Sequence, residues 1–230
     1  MDASIEVGVS ETGLTYRFRR GRSHGLLIIM LHGLSGDENA MWIFDRALPR
    51  EATVIAPRAL YASEWGGYSW ARSVVRNELD LVDYTAALAA VQSFIREAIH
   101  LYEADLQQVI SLGFSQGAAL SYALALAQPE LVRGVIALAG FLPGETRLRE
   151  AGPSVHAPAA ERGRAEPRYL IIHGTRDEAV PIDRARQARA ILESRGASVE
   201  YHEHPVGHKV SAQGLKEIAR WIGKTLQARA

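Results

Sequence analysis

Ser115 lies in a glycine-flanked pentapeptide that could carry nucleophilic chemistry. The segment 113–117 reads Gly-Phe-Ser-Gln-Gly, follows an apolar run at 109–112 and leads into a small-residue helix pattern from Ala118. A chain that reverses so sharply between a strand and a helix needs glycine on both sides of the serine, because side chains there would clash. The turn lifts the hydroxyl above the sheet at a helix N-terminus, whose free N–H groups favour developing negative charge. Glycine and serine are common residues, so the same pentapeptide also fits an ordinary strand-to-helix turn.

A serine nucleophile needs a base that takes its proton and an acid that orients the base. In folds built on such a turn, the order along the chain is serine, then aspartate or glutamate, then histidine. Asp177 follows an apolar, strand-like run, and His208 lies between the last predicted strand and the last predicted helix. Alone, such an aspartate is typical of a turn or a helix cap, and such a histidine is typical of a solvated loop. Together with Ser115, and in this order, they predict a Ser-His-Asp triad.

Attack on a carbonyl carbon also needs N–H donors for the oxyanion that forms. One expected donor is the backbone N–H of Gln116, which directly follows the serine. The second is expected in the loop 32–34 (His-Gly-Leu), which follows the apolar run 26–31. Each such donor lowers the barrier by roughly 3–4 kcal/mol. His32 and His173 each precede a glycine at a strand end, and we expect both to support their loops by hydrogen bonds.

These side chains need a sheet whose strands end at one edge. Strand-like runs alternate with helical patterns through most of the chain, which predicts an α/β fold with a mostly parallel, doubly wound sheet flanked by helices. In such sheets the chemistry lies in loops at the carboxyl ends of the strands. Two short strands at 4–9 and 14–19 are expected to form a leading hairpin.

Apolar runs and helical periodicity predict the remaining elements. The later strands are expected at 26–31, 53–56, 109–112, 135–138, 169–172 and 198–202. The helices are expected at 39–48, 80–102, 118–128, 183–195 and 211–228. Residues 58–78 are expected to be irregular, and residues 142–167 to form a lid or a surface loop.

The composition favours one globular domain over residues 1–230. Hydrophobic residues make up 47% and charged residues 23%, and the formal net charge is zero, so we expect no nucleic-acid partner. The absence of cysteine excludes disulfides, cysteine nucleophiles and thiolate metal sites. The apolar runs are strand-sized and the N-terminus lacks an apolar signal core, so we expect no stable membrane anchoring and a cytoplasmic location. A monomer and a homodimer are both compatible with the sequence.

Five motifs follow one another along the chain: Leu-His-Gly-Leu-Ser-Gly-Asp-Glu at 31–38, Gly-Phe-Ser-Gln-Gly-Ala at 113–118, Phe-Leu-Pro at 141–143, His-Gly-Thr-Arg-Asp-Glu-Ala-Val-Pro at 173–181 and Gly-His at 207–208. From about residue 26 to the C-terminus, they resemble the phospholipase/carboxylesterase family of α/β-hydrolases, which includes small bacterial carboxylesterases and acyl-protein thioesterases. The resemblance implies one α/β-hydrolase domain with Ser115, Asp177 and His208 as the triad. It also implies that the N–H groups of Leu34 and Gln116 are the oxyanion donors.

The expected activity is that of a serine carboxylesterase, which hydrolyses small-molecule esters with short to medium acyl chains and needs no cofactor or metal. Acyl-protein thioesterase and lysophospholipase activities are alternatives within the same family. A catalytically silent α/β-hydrolase fold that serves as a binding module is an alternative of another class. A metal-dependent hydrolase that uses His202, His204 and His208 is a further alternative, because residues 202 and 204 would share one face of a strand.

Large apolar side chains indicate where a substrate could bind. Trp65, Trp70, Phe141 and Leu142 are candidates for the lining of an acyl or alcohol pocket, because binding clefts are largely apolar. The alternative for the same side chains is the packing of a long loop onto the sheet.

Overall fold

Buried apolar runs form the strands of a central sheet. The structure, a computed structural model, describes residues 4–22, 25–72, 82–144 and 166–227. Its strands are β1 (Glu6–Val9), β2 (Thr15–Arg19), β3 (Gly25–Leu31), β4 (Thr53–Pro57), β5 (Tyr61–Ala62), β6 (Tyr68–Ser69), β7 (Ala104–Phe114), β8 (Gly134–Leu138), β9 (Arg168–Gly174) and β10 (Val199–His204). Eight of these strands form one sheet in the order β1-β2-β4-β3-β7-β8-β9-β10, and β5 pairs with β6 in a separate ribbon.

The sheet is parallel except at its leading edge. The pairs from β4 and β3 through to β9 and β10 are parallel, whereas β1 pairs with β2, and β2 with β4, in the antiparallel sense. The predicted leading hairpin and the mostly parallel α/β sheet are therefore confirmed. Alternate residues along β3 enter two different cores: Leu27, Ile29 and Leu31 the first, and Leu26, Ile28 and Met30 the second.

Helices cover both faces of the sheet. The α-helices are α1 (Thr85–Leu101), α2 (Gln116–Ala127), α3 (Ile182–Ser194) and α4 (Ala212–Gln227), and two 3₁₀ helices are η1 (Ala40–Ala47) and η2 (Pro129–Leu131). Helices α1, α2 and α3 contribute to the first core, and η1 and α4 contribute to the second. All residues of α2 are buried, because it lies against both the sheet and α1. Across the described residues, no helix is long and apolar enough to cross a bilayer.

Two helices differ from their predictions. The helix predicted at 39–48 is the 3₁₀ helix η1, which hydrophobic spacing over eight residues does not distinguish from an α-helix. Helix α1 begins at Thr85, five residues later than predicted. The carboxylate of Asp83 accepts the N–H of Thr85 at 2.9 Å, and this local hydrogen bond forms a turn in front of the helix.

Some predicted segments lie wholly or partly outside the described residues. The irregular segment predicted at 58–78 contains the ribbon of β5 and β6, and residues 73–81 are not described. Residues 145–165 are not described either, so a lid at 142–167 stays a prediction. Strand β7 extends the predicted strand 109–112 at its N-terminal end, where partly exposed residues precede the apolar run.

Candidate active site

The backbone around Ser115 forms a sharp turn between β7 and α2. Ser115 has φ 53° and ψ −116°, a conformation that a residue with a side chain adopts only where its surroundings hold it there. A Cβ atom on Gly113 would clash with the backbone of Gly117, and a Cβ atom on Gly117 would clash with the carbonyl group of Leu31. Close backbone contacts therefore require both glycines, and the turn presents Ser115 at the carboxyl end of β7.

The side chains of Ser115, His208 and Asp177 form a hydrogen-bonded row. His208 Nε2 lies 3.0 Å from Ser115 Oγ, and His208 Nδ1 lies 2.7 Å from Asp177 Oδ2. A carboxylate only accepts hydrogen bonds, so Nδ1 carries the ring proton and Nε2 is left to accept the serine hydroxyl proton. The three residues follow β7, β10 and β9 at the carboxyl edge of the sheet. This arrangement can deprotonate a serine hydroxyl as the hydroxyl attacks.

Asp177 is buried and accepts hydrogen bonds on both carboxylate oxygens. Its Oδ1 accepts the N–H groups of Ala179 and Val180, each at 2.9 Å. Its Oδ2, which faces His208, also lies 3.3 Å from Nε2 of His173. The same Nε2–H of His173 donates to the carbonyl oxygen of Val180 at 2.8 Å. Burial lowers the pKa of His173, so a neutral ring contacts the carboxylate.

His32 fixes the loop that carries Leu34. Its Nδ1 donates to the carbonyl oxygen of Gly33 at 2.6 Å, and its Nε2 accepts the N–H of Ala59 at 3.0 Å. Burial lowers the pKa of His32, which keeps this ring neutral as well. The loop passes close to the serine, since a Cβ atom on Gly33 would lie 3.2 Å from Cβ of Ser115. The segment 33–34 thus lies beside Ser115.

Gln116 joins the turn of the serine to this loop through its side chain. As the first residue of α2, it has an N–H without an acceptor inside the helix. Its Oε1 accepts the N–H of Trp70 at 2.9 Å, and its Nε2 donates to Ser69 Oγ at 3.0 Å. Trp70 in turn donates its Nε1–H to the carbonyl oxygen of His32 at 2.8 Å. From the sequence, a role is predicted only for the backbone N–H of Gln116, and its side-chain hydrogen bonds are not predicted.

A cavity of about 570 Å³ opens beside His208. It lies between η1, the loop 33–36 and the segment that leads into α4. Its apolar lining residues are Leu34, Ala40, Met41, Ile43, Phe44, Phe114, Val210 and Leu215. Its ionisable lining residues within the described chain are Arg46, His208 and Lys209. The volume lies in the range of small-molecule sites, so we name this space the His208 cavity and treat it as a candidate substrate site.

Comparison with known proteins places the chain in a family. A family model described as Phospholipase/Carboxylesterase matches residues 19–226. The chain belongs to this family. Membership indicates ester hydrolysis as the general chemistry, and the mostly parallel sheet with flanking helices is the α/β-hydrolase fold.

Relatives within the family carry different names. The chain is 26% identical over 222 residues to acyl-protein thioesterase 1 of Debaryomyces hansenii, which is 87% of this chain and 91% of that protein. It is 26% identical over 209 residues to a probable inactive carboxylesterase of Oryza sativa subsp. japonica, which is 90% of this chain and 80% of that protein. A crystal structure of a carboxylesterase from Mesorhizobium loti shares the fold, with a TM-score of 0.76 at 24% identity over 97% of this chain and 99% of that chain. Because one relative is named inactive, membership of the family does not by itself assign roles to residues.

The four side chains predicted to line a pocket lie outside the described lining of the His208 cavity. Trp65 is half exposed, and Trp70 is fully buried. Phe141 and Leu142 belong to the first core, on the other face of the sheet from η1. The Trp70 ring lies 5.2 Å from the His32 ring and donates to the carbonyl oxygen of His32. Substrate contacts of these four side chains stay a prediction.

His202 and His204 contact Glu217 rather than His208. His204 Nε2 lies 2.9 Å from one carboxylate oxygen of Glu217, and His202 Nδ1 lies 3.5 Å from the other. His202 Nε2 also lies 2.9 Å from Glu200. In the part of the chain that the structure describes, no three His, Asp or Glu side chains are arranged to hold a metal ion. The three histidines of the metal-dependent alternative therefore do not converge.

The His208 cavity is not predicted from the sequence. Met41 and Phe44 are three positions apart and face the second core, as their apolar spacing could have indicated. Ile43 is 67% exposed on the same short helix, and Arg46 is exposed too. No local signal shows that these two side chains lie across a cavity from His208, because that neighbourhood exists only after folding.

Proposed function

We propose that the chain is a serine carboxylesterase that hydrolyses small-molecule esters with short to medium acyl chains. Ser115 Oγ attacks the ester carbonyl carbon while His208 Nε2 takes the hydroxyl proton. Asp177 orients the imidazole and stabilises the imidazolium that forms. The hydrogen-bonded row from Ser115 through His208 to Asp177 is the observation that carries this proposal.

The oxyanion of the tetrahedral intermediate binds to the N–H groups of Leu34 and Gln116. The position of the loop 33–34 beside Ser115 and the place of Gln116 at the start of α2 support these roles. His208 then protonates the departing alcohol and leaves an acyl-enzyme on Ser115. A water molecule, deprotonated by His208, releases the acid and restores the serine. No step needs a cofactor.

Replacement of the nucleophile tests the mechanism. In Ser115→Ala, we expect hydrolysis of p-nitrophenyl acetate to fall by about 10⁶-fold, or to background, because the acyl-enzyme cannot form. A fluorophosphonate should label the wild type and not the variant. Hydrolysis that persists in Ser115→Ala contradicts the proposal.

Two other results would favour the alternative classes. A wild type without Ser115-dependent hydrolysis points to a binding module. Activity that a chelator removes, combined with resistance to the fluorophosphonate, points to a metal-dependent hydrolase.

Thioester hydrolysis is a second candidate, because several relatives are named acyl-protein thioesterases. Matched p-nitrophenyl esters and acyl thioesters of increasing chain length separate the two activities. We expect the highest kcat/KM for short to medium acyl esters. A preference for long chains favours the thioesterase or lysophospholipase alternative. The cytoplasmic location and the state of monomer or homodimer stay predictions from the sequence.

A further inference from the structure

The His208 cavity opens beside the ring that, in the proposed mechanism, protonates the departing alcohol. In the proposed mechanism, His208 Nε2 gives its proton to the leaving oxygen, so that oxygen must come within hydrogen-bonding distance of the ring. The described lining of the cavity includes His208 and the oxyanion loop at Gly33 and Leu34. An ester whose leaving oxygen approaches His208 can therefore extend its alcohol half into the cavity.

The charged side chains that line the cavity are cations. Arg46 and Lys209 line it and are exposed, and its described lining contains no carboxylate. The neighbouring Asp45 forms ion pairs with Arg19 at 2.9 Å and with Arg50 at 3.1 Å. Neither Arg46 nor Lys209 has an ion-pair partner within the described residues. Two cations are therefore free to bind an anion at this cavity.

Most of the other side chains that line the cavity are apolar. Side chains from η1 and from the start of α4, among them Ile43, Phe44 and Leu215, provide a surface that water wets poorly. A flexible methylene chain can cover this surface, and a volume of about 570 Å³ is large enough for one. The combination favours an alcohol with an apolar spacer and a charged end.

We propose that the enzyme prefers esters whose alcohol half ends in an anionic group, either a carboxylate or a phosphate, separated from the ester oxygen by a short apolar chain. The spacer packs in the His208 cavity and the anion lies beside Arg46 and Lys209. This specificity rests on the proposed esterase function and names the substrate class of the same site.

Three butyrate esters test the preference: ω-butyryloxyhexanoate, ω-butyryloxyhexyl phosphate and, as the neutral control, ω-butyryloxyhexanamide. The methylene chain insulates the leaving oxygen from the terminal group, so the intrinsic reactivity of the three esters is nearly equal. We expect kcat/KM for either anionic ester to exceed that for the amide by about fivefold at low salt, the size typical of one or two exposed charge pairs. The ratio should approach one in high salt, because salt screens exposed charges. The larger of the two anionic ratios identifies carboxylate or phosphate as the preferred end.

Variants that remove a positive charge test whether Arg46 and Lys209 cause the preference for anionic esters. We expect the ratio of anionic to neutral ester to fall towards one in the double variant Arg46→Gln/Lys209→Gln, with an intermediate ratio in each single variant. Lys216→Gln is the matched control, because Lys216 is exposed on α4 and is not among the lining residues. This control should keep the wild-type ratio.

The outcomes separate the two proposals. Ser115-dependent hydrolysis of the amide ester, with an anionic-to-neutral ratio at or below one, overturns the anion preference and leaves the esterase function intact. A preference that survives in the double variant overturns the assignment to Arg46 and Lys209. If the wild type hydrolyses none of these esters nor p-nitrophenyl acetate in a Ser115-dependent manner, both proposals fail together.

Discussion

His32 and His173 occupy equivalent places in the sheet, and the comparison shows how one local pattern serves two purposes. His32 directly follows the last residue of β3, and His173 is the penultimate residue of β9. Each precedes a glycine, each is buried, and burial lowers the pKa of each below the ordinary value for histidine. By sequence and by solvation the two rings are alike.

Their hydrogen bonds require opposite tautomers. His32 donates from Nδ1 to the carbonyl oxygen of Gly33 and accepts the Ala59 N–H on Nε2, so it joins two backbone segments. His173 carries its proton on Nε2, which faces the carbonyl oxygen of Val180 and the carboxylate of Asp177. Its Nδ1 is buried without a hydrogen-bond partner among the described residues.

The difference separates two kinds of support. His32 uses both ring nitrogens to hold the loop that carries Leu34, so it supports the proposed oxyanion site through the backbone. His173 uses one nitrogen and contacts a side chain of the proposed triad directly. Removal of His32 should therefore displace a loop, whereas removal of His173 should change the electrostatics of one carboxylate.

The largest expected effect comes from His32→Leu. This variant leaves the Ala59 N–H and the Gly33 carbonyl group without their partner, so the loop 33–34 should shift. A misplaced donor should lower kcat for p-nitrophenyl acetate by about a hundredfold. Steady-state kinetics measures this loss, and the urea midpoint reports the accompanying loss of stability.

His32→Asn is the matched control for that loss. Its side-chain amide can place a donor near the former Nδ1 and should recover part of kcat. Wild-type kcat in His32→Leu would show that the loop keeps its position without the ring, and the distinction between the two histidines would then disappear.

A smaller effect is expected for His173→Leu. Asp177 loses the contact with the Nε2–H of His173, which lies 3.3 Å from Oδ2 while it donates to the carbonyl oxygen of Val180. The carboxylate should then be less firmly oriented towards His208, and we expect kcat/KM to fall by about tenfold. A carboxylate without this partly positive N–H group beside it stabilises the His208 imidazolium more strongly, so the acidic limb of the kcat/KM–pH profile should move to higher pH. The pH profile of the variant against that of the wild type measures this shift.

The shift of the limb separates a positioning role from a purely structural one. His173→Gln can return an N–H near the position of Nε2, and it should move the acidic limb back towards the wild-type pH. A loss of activity with an unchanged limb would mean that His173 only packs, as an ordinary buried ring does.

The smallest expected effect is on the pH dependence of stability, to which His32 and His173 contribute in the same direction. Unfolded histidine takes up a proton near pH 6.5, whereas both folded rings take it up only at lower pH. Stability should therefore be full above about pH 6.5 and should fall as the pH drops below it, with a slope of at most about 1.4 kcal/mol per pH unit for each ring. Urea midpoints at pH 7.5 and pH 5.5, measured on the wild type and on His32→Gln/His173→Gln, test this.

The double variant should lose less stability between the two pH values than the wild type does. His100→Gln, which changes an exposed histidine at the end of α1, should behave like the wild type. Equal losses in all three proteins would show that other groups dominate the acid response.

The sequence by itself determined the fold class and the order of the site residues. Alternating apolar runs and helical patterns specify parallel strands with helices between them, because burial on both faces of a sheet leaves a continuous apolar signature. Gly113 and Gly117 predict a sharp turn at Ser115, because side chains at these two positions would clash. Because Asp177 and His208 each follow a predicted strand, the sequence predicts that they lie at one edge of the sheet.

Only the tertiary structure decided which atoms meet. The tautomers of His32 and His173 depend on carbonyl and N–H groups from other segments, so two identical His-Gly pairs could not be told apart by sequence. Trp70 became a buried support for the loop of His32, and the His208 cavity arose between η1 and the start of α4. Hydrogen-bond partners and cavities are set by three-dimensional packing of distant segments, and a linear pattern carries no record of that packing.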